Sequence, residues 1–204
     1  MIEIIAMLSM LIDHIGVVFF PDDPFFRILG RLAFPLYAWG IVQGYFYTRN
    51  IKNYQKRLLW LAVLSQIPFM FLSLFRLNVI FTFLLCILIL KILDSDYREK
   101  YSLIIIIALF TQFFSDYGAY AILLVLIFKF FKGYSILAAH LCLDLFYLVM
   151  FGWWLQPFSV IATLIILNRD KLKKIKVNRL FYRSFYPAHL ALLVLIQLFF
   201  KGGL

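Results

Sequence analysis

The chain has 204 residues, of which 65% are hydrophobic and 20% aromatic, and its formal net charge is +10 at pH 7. A water-soluble domain usually has about 45–50% apolar residues and could not hide this much apolar surface, so the composition indicates a membrane protein. The positive charge does not indicate a nucleic-acid partner, because the basic residues lie between apolar runs instead of on one face of a domain.

Apolar runs separated by charged residues, Gly or Pro predict an all-α, polytopic transmembrane helical bundle of about nine spans, with eight to ten as the range. We expect one integral-membrane domain over residues 1–204, without a separate soluble domain. Two runs in the middle of the chain are short enough to form one re-entrant unit instead of two crossings. The runs cover roughly 2–20, 28–48, 58–75, 77–93, 101–114, 117–131, 134–151, 153–168 and 185–200.

The distribution of Lys and Arg predicts the orientation of these spans. With nine crossings, sixteen basic residues lie in one set of connections and only Arg27, Arg76 and Lys201 in the other. Because short inner connections are rich in Lys and Arg, we expect the amino terminus inside and the carboxyl terminus outside. A re-entrant unit at 101–131 would invert the later spans, and the basic loop 168–184 argues against that.

Two adjacent ionisable residues, Asp13 and His14, lie in the interior of the first span, at roughly 17 Å of helix from its start. Ionisable groups at this depth cost several kcal/mol unless they are paired or solvated, so both are candidate functional residues. The structural alternative is an Asp that orients His14 or caps a neighbouring helix. Arg31, in the second span, could pair with Asp13 across the first hairpin.

Small residues recur at helical spacing on the first two spans and predict close helix packing. The stripe on the first span consists of Ala6, Ser9, Asp13 and Gly16. The stripe on the second span consists of Gly30, Ala33, Tyr37, Gly40 and Gly44.

Later polar residues supply further candidates. His140 and Asp144 lie four residues apart on one helix face, where they could form a proton relay or a buried, mutually satisfied pair. Asp116 lies in a predicted outer turn and could simply cap a helix. His189 follows Pro187 at the predicted inner end of the last span. The basic loop before it could contact anionic lipid or hold a phosphorylated ligand.

Seven motifs in order along the chain resemble the TraX family. They are M-L-I-D-H-I-G (10–16), G-R-L-A-F-P-L (30–36), T-R-N (48–50), Y-Q-K-R-L (54–58), L-N-V-I-F-T (77–82), S-D-Y-G-A-Y (115–120) and F-Y-R-S-F-Y-P-A-H-L (181–190). The chain departs from the family before its last basic loop. It reads N-R-D-K-L at 168–172, where an N-G-x-x-G turn is usual, so donor contacts in that loop stay open.

The resemblance implies a multi-pass protein of the bacterial cytoplasmic membrane, related to transmembrane acyltransferases. Such proteins move an acyl group from cytoplasmic acyl-CoA to an acceptor at the outer side. The resemblance therefore implies acetyl-CoA as the donor and membrane lipid as the surroundings. A peptide amino terminus, a glycan and a lipid-linked group all remain possible acceptors, and nothing in the chain indicates a pilus.

On this interpretation His14 acts as general base on an amine or hydroxyl acceptor, and Asp13 fixes its tautomer. The residues expected to contact the donor are Arg49, Arg57, Tyr186 and His189. Those expected to bind the acceptor or stabilise an oxyanion are Arg31, Arg76, Asn78 and Asp116.

Two other classes of function fit the sequence less well. One is a small proton-coupled transporter that uses the Asp13/His14 and His140/Asp144 pairs as a relay. The other is a non-catalytic membrane scaffold, which has little reason to keep intramembrane charges. We expect no metal site, and both cysteines, Cys86 and Cys142, lie inside apolar runs.

Overall fold

A computed structural model describes residues 1–73, 75–173 and 175–202 of the chain. Leu74 of the predicted run 58–75, Lys174 of the predicted basic loop and the side chain of Lys201 lie outside this description. The described residues form ten α-helices and no β-strand, which confirms the all-α prediction. The helices are α1 (Ile2–Phe19), α2 (Pro24–Gly30), α3 (Ala33–Tyr47), α4 (Ile51–Met70), α5 (Val79–Leu93), α6 (Lys100–Phe114), α7 (Gly118–Phe130), α8 (Tyr134–Phe151), α9 (Val160–Leu167) and α10 (Arg179–Gly202). Two 3-10 helices, Gln156–Ser159 and Arg169–Lys171, flank α9.

In the described part of the chain, four helical segments are long and apolar enough to cross a membrane, which supports a membrane protein. They are Ile2–Phe19, Pro24–Tyr47, Tyr134–Phe151 and Arg179–Phe200. The predicted count of nine spans is not confirmed. The other apolar helices, including α5, α6 and α7, have at most 15 residues. At 1.5 Å per residue they reach only about 22 Å, which is less than the ~30 Å hydrocarbon core.

Several helix boundaries differ from the apolar runs, because polar residues begin the helices. The Asn50 side chain accepts a hydrogen bond from the Asn53 amide at 2.9 Å, so α4 begins at Ile51 instead of at 58. The Asn178 side chain accepts one from the Leu180 amide at 2.8 Å, and α10 begins at Arg179 instead of at 185. A side-chain cap of this kind starts a helix upstream of its apolar part.

The chain divides into two compact units, each with its own core. The first unit comprises residues 1–37 and 131–204, and the second comprises residues 38–130. In the first unit α1 packs against α2 and α10, while α8 packs against α9 and the 3-10 helix before it. In the second unit α5 packs against α4, α6 and α7. The single domain expected from the sequence stays a prediction.

Small residues bring α1 and α2 into close contact. Ala6, Ser9 and Gly16 are buried, as the stripe on the first span predicts. A methyl group added at Gly16 would lie 2.4 Å from the Cβ of Phe26, and one added at Gly30 would lie 2.0 Å from Oδ1 of Asp13. The α1–α2 hairpin therefore depends on glycine at both positions.

We expect Gly30→Ala to lower the unfolding free energy by about 1–3 kcal/mol, because the added methyl overlaps the Asp13 carboxylate. Gly40→Ala is the matched control. Apart from its own stretch of α3, no described part of the chain comes within 4 Å of its added methyl, so the close packing predicted at Gly40 is wrong. Alanine there should be neutral or stabilise helix α3 slightly. Thermal melting of the purified variants measures both effects, and equal melting of the two would contradict the packing at Gly30.

An ion pair ties three helices of the second unit together. The Asp94 carboxylate, just after α5, accepts hydrogen bonds from Lys129 of α7 and, at 2.7 Å, from the Tyr45 hydroxyl of α3. Partial burial alone would raise the pKa of Asp94, but these two donors outweigh burial and hold its pKa below the usual range. Asp94 is therefore charged at neutral pH and holds the ends of α3, α5 and α7 together.

Candidate functional site

Two histidines from opposite ends of the sequence form a hydrogen bond in the first unit. Nδ1 of His14, on α1, lies 2.7 Å from Nε2 of His189, on α10, and the rings stack with centroids 5.0 Å apart. The ring of Tyr186 lies 6.1 Å from that of His14. The sequence interpretation places His189 at the inner end of a span. Because α10 begins at Arg179, His189 instead lies about 15 Å along the helix.

The hydrogen bonds of His189 determine the tautomers of both rings. Nδ1 of His189 lies 2.6 Å from the carbonyl oxygen of Phe185, which can only accept, so this nitrogen carries the proton. In the neutral ring Nε2 then accepts, and Nδ1 of His14 must donate to it. Nε2 of His14 therefore keeps its lone pair, and within the described ranges no side chain or backbone group hydrogen-bonds to it. This nitrogen can act as a base.

The carboxylate of Asp13 faces α2 instead of the ring of His14. Its Oδ2 lies 2.8 Å from Nη1 of Arg27, and its Oδ1 lies 3.5 Å from Nη2 of Arg31. The expected ion pair with Arg31 is confirmed, and Arg27 joins it. Adjacent residues on a helix point about 100° apart, so Asp13 does not orient His14. The sequence interpretation gives Asp13 the role of fixing the His14 tautomer, whereas in the structure His189 makes the contact that fixes it.

Gln156 extends this charged cluster and was not singled out from the sequence. Its side chain, on the 3-10 helix Gln156–Ser159, is 1% exposed, and its Oε1 accepts a hydrogen bond from Nη1 of Arg31 at 3.5 Å. Its Nε2 is buried and makes no hydrogen bond to any residue that the structure describes, and the same is true of Oδ1 of Asp13, which instead forms the ion pair with Arg31. In the sequence, Gln156 could have been noticed only as the polar residue of a Gln-Pro pair inside the apolar run 153–168.

His140 and Asp144 of α8 belong to a second, fully buried polar network. The Ser159 hydroxyl donates to Oδ2 of Asp144 at 2.8 Å and lies 3.0 Å from Nε2 of His140. Nδ1 of His140 lies 2.7 Å from the hydroxyl of Thr163. The residues resemble a catalytic triad, but the Ser159 hydroxyl bridges the carboxylate and Nε2 of His140, which itself lies 3.6 Å from Oδ2 of Asp144. This arrangement supports the buried, mutually satisfied pair over a proton relay.

The second unit contains the other candidate residues. Asn78 is 0% exposed, caps α5 through its side-chain oxygen, and donates to the Ala62 carbonyl and the Gln66 side chain at 2.8 and 2.9 Å. Nη1 of Arg76 donates to the carbonyl oxygens of Ser115 and Asp116 at 3.4 and 3.3 Å. The structure therefore brings Arg76, Asn78 and Asp116 together in the second unit, whereas Arg31 belongs to the first. The hydrogen bonds of the Asn78 side chain cap α5 and join it to α4.

Basic residues at the start of α4 border a groove in the second unit. The groove has a volume of about 630 Å³. The two cations that line it are Lys52 and Lys56, whereas Arg49 is exposed and the guanidinium of Arg57 lies 5.9 Å from the centre of the Tyr54 ring. The remaining lining residues are Gln55, Leu59, Leu77, Phe81, Leu84, Leu85, Leu88 and Phe110.

Comparison with known proteins extends the resemblance seen in the seven motifs. The model of the TraX protein family matches residues 1–197. A curated protein from Dichelobacter nodosus, the probable fimbrial assembly protein FimC of serogroup H1, is 29% identical over 140 residues. This match covers 60% of the chain and 57% of that relative, so the chain spans little more than half the relative's length. No solved structure matches the chain. The family match covers nearly all of the sequence, and the chain belongs to the TraX family.

Proposed function

We propose that this protein is a membrane-bound acyltransferase that moves an acetyl group from acetyl-CoA to an amine or hydroxyl acceptor. One observation carries the proposal. His14 donates a hydrogen bond to His189, and His189 donates one to the Phe185 carbonyl, so Nε2 of His14 remains a proton acceptor. A base of this kind, held by a second group within a largely apolar bundle, suits the activation of a weak nucleophile. Family membership supports the proposal, and the relative named for fimbrial assembly favours a peptide amino group among the acceptors.

In the proposed reaction, Nε2 of His14 takes a proton from the acceptor amine. At the same time the nitrogen of the acceptor amine forms a bond to the thioester carbon. The C–S bond then breaks, and His14 returns the proton to the departing thiolate, so an amide and free CoA are the products. The positive charge carried by the histidine pair between these steps is shared with His189 through the 2.7 Å hydrogen bond. Asp13 supports the site as the shared counter-ion of Arg27 and Arg31.

His189 is better assigned to this pair than to the phosphates of the donor. Both ring nitrogens of His189 already have partners, Phe185 and His14, and neither is left for a phosphate. Arg49, Arg57 and Tyr186 stay proposed donor contacts, and Lys52 and Lys56 join them because they line the groove beside α4. Arginine and lysine both bind phosphate oxygens well.

We place the protein in the bacterial cytoplasmic membrane, with its amino terminus inside and its carboxyl terminus outside. The bias of basic residues supports this orientation. It also exposes the start of α4 to cytoplasmic acetyl-CoA. Cysteine labelling of single-cysteine variants at the exposed positions 49 and 98 from each side of sealed vesicles tests the orientation, because both positions should react from the inside.

Acetyl-CoA binding to the detergent-purified protein is the test of the donor. We expect saturable binding by calorimetry, weakened about 3- to 10-fold in Arg57→Ala because a charge-assisted contact to phosphate is lost. Arg98→Ala, which removes an exposed arginine between α5 and α6, should bind like the wild type. Folded protein that binds no acetyl-CoA at millimolar concentration would overturn the proposal and favour the proton-coupled transporter.

A further inference from the structure

The buried amide of Gln156 has an unsatisfied donor. The side chain is 1% exposed, and among the described residues Nε2 has no hydrogen-bond partner. Leaving a buried amide N–H without a partner is unfavourable, because the group loses its hydrogen bonds to water and gains none in return. Native proteins keep few such groups, and those they keep are often completed by a bound molecule.

The orientation of this amide is fixed by its neighbour. Nη1 of Arg31 lies 3.5 Å from Oε1 of Gln156, and a guanidinium group has only N–H donors. Turning the amide over would place its NH₂ group against these donors. The atom without a partner is therefore a donor, and an acceptor oxygen would complete it.

The same guanidinium connects Gln156 to the residue next to the proposed base. Nη2 of Arg31 lies 3.5 Å from Oδ1 of Asp13, and Asp13 precedes His14 on α1. Arg31 itself is 12% exposed in its side chain, and it shares the Asp13 carboxylate with Arg27. Gln156 thus offers a fixed N–H donor, and Arg31 a fixed positive charge, beside the residue that precedes His14 on α1. Donors arranged in this way stabilise negative charge that develops on a carbonyl oxygen.

We propose that Gln156, together with Arg31, binds the carbonyl oxygen of the acyl group and stabilises its negative charge during transfer. This inference rests on the proposed acyltransferase function and names the group that completes its site. When the acceptor nitrogen bonds to the thioester carbon, the electron pair of the C=O bond moves to the oxygen, which faces these donors. Re-formation of the C=O bond then expels the thiolate, and the proton from His14 completes the free thiol.

The test compares the binding of two CoA ligands that differ only in this carbonyl oxygen. Acetyl-CoA carries the thioester carbonyl, whereas S-ethyl-CoA is a thioether without it. We expect the wild type to bind acetyl-CoA about 5-fold more tightly, the contribution of one hydrogen bond. Gln156→Leu should remove this preference while its affinity for S-ethyl-CoA stays unchanged. Gln156→Glu, which keeps the acceptor for Arg31 but lacks the NH₂ donor, should also remove it.

Controls separate this contact from a structural effect. Gln197→Leu, on α10, should keep the wild-type preference. Gln156→Leu also removes the Oε1 acceptor of Arg31, so its affinity for S-ethyl-CoA, and not its melting temperature, is the control for an intact site. Equal binding of the two CoA ligands by the wild type would overturn the role of Gln156, as it would if a water molecule already satisfied the amide. This outcome would leave the proposed function standing. Binding of neither donor would overturn the proposed function itself.

Discussion

Replacing His14 by alanine should lower the rate of acetyl transfer by about 10²- to 10⁴-fold, the usual contribution of a general base. Acetyl-CoA binding should be nearly unchanged, because the base acts on the acceptor. The measurement is the release of CoA thiol from acetyl-CoA by protein in lipid vesicles, supplied with a peptide that has an unblocked amino terminus. Full activity of folded His14→Ala protein would exclude His14 as the base.

Two variants of His189 provide the matched comparison for this prediction. In His189→Gln the side-chain oxygen can take the place of Nε2 and accept the hydrogen bond from Nδ1 of His14. In His189→Leu that acceptor is lost, and the lone pair of His14 is no longer confined to Nε2. We expect the glutamine variant to keep more activity than the leucine variant. The opposite order would show that His189 does not position His14.

Replacing Asp13 by asparagine should produce the largest loss of stability, about 3–5 kcal/mol. The side chains of Asp13, Arg27 and Arg31 are 14%, 28% and 12% exposed, so a single carboxylate is the counter-ion of two largely buried guanidinium groups. Removing one partner leaves uncompensated positive charge, which costs far more than the intact cluster contributes. Unfolding of the purified variant by heat or denaturant measures the effect.

A second substitution tests the origin of that loss. Removing the 2.8 Å partner as well, in Asp13→Asn/Arg27→Gln, should recover part of the lost stability because one unpaired charge disappears. Asp22→Asn, at an exposed carboxylate before α2, should change the unfolding free energy little. An Asp13→Asn protein that unfolds like the wild type would contradict the electrostatic role of the cluster.

Glycines made parts of the fold predictable. The run 134–151 matches α8 at both ends, because Gly133 precedes the helix and Gly152 follows it in the left-handed conformation, with φ of 68°. Helices α4 and α10 were predicted too short. Their first turns contain basic residues, such as Lys52 of α4 and Arg179 of α10, and these residues interrupt an apolar run. The predicted number of crossings is not confirmed for a related reason, since apolar character alone does not fix helix length.

The site was predictable where its residues are neighbours in sequence. His140 and Asp144 share a face through their spacing, and the Asp13–Arg31 contact follows from the first hairpin. The contact between His14 and His189 joins residues 175 positions apart, and helical periodicity within either span says nothing about it. Gln156 was missed because its neighbours are apolar and its significance depends on Arg31.

The chain of hydrogen bonds from His14 through His189 to Phe185 can exchange a proton with a bound molecule at one atom, Nε2 of His14. It finishes at the main-chain carbonyl of Phe185, a group far too weak a base to receive a proton at neutral pH and pass it on. A proton taken up at Nε2 of His14 can therefore spread over two rings but must leave through the atom by which it entered. Such a pair lends and recovers protons at one location, as group transfer requires, and does not conduct them from one side of a membrane to the other.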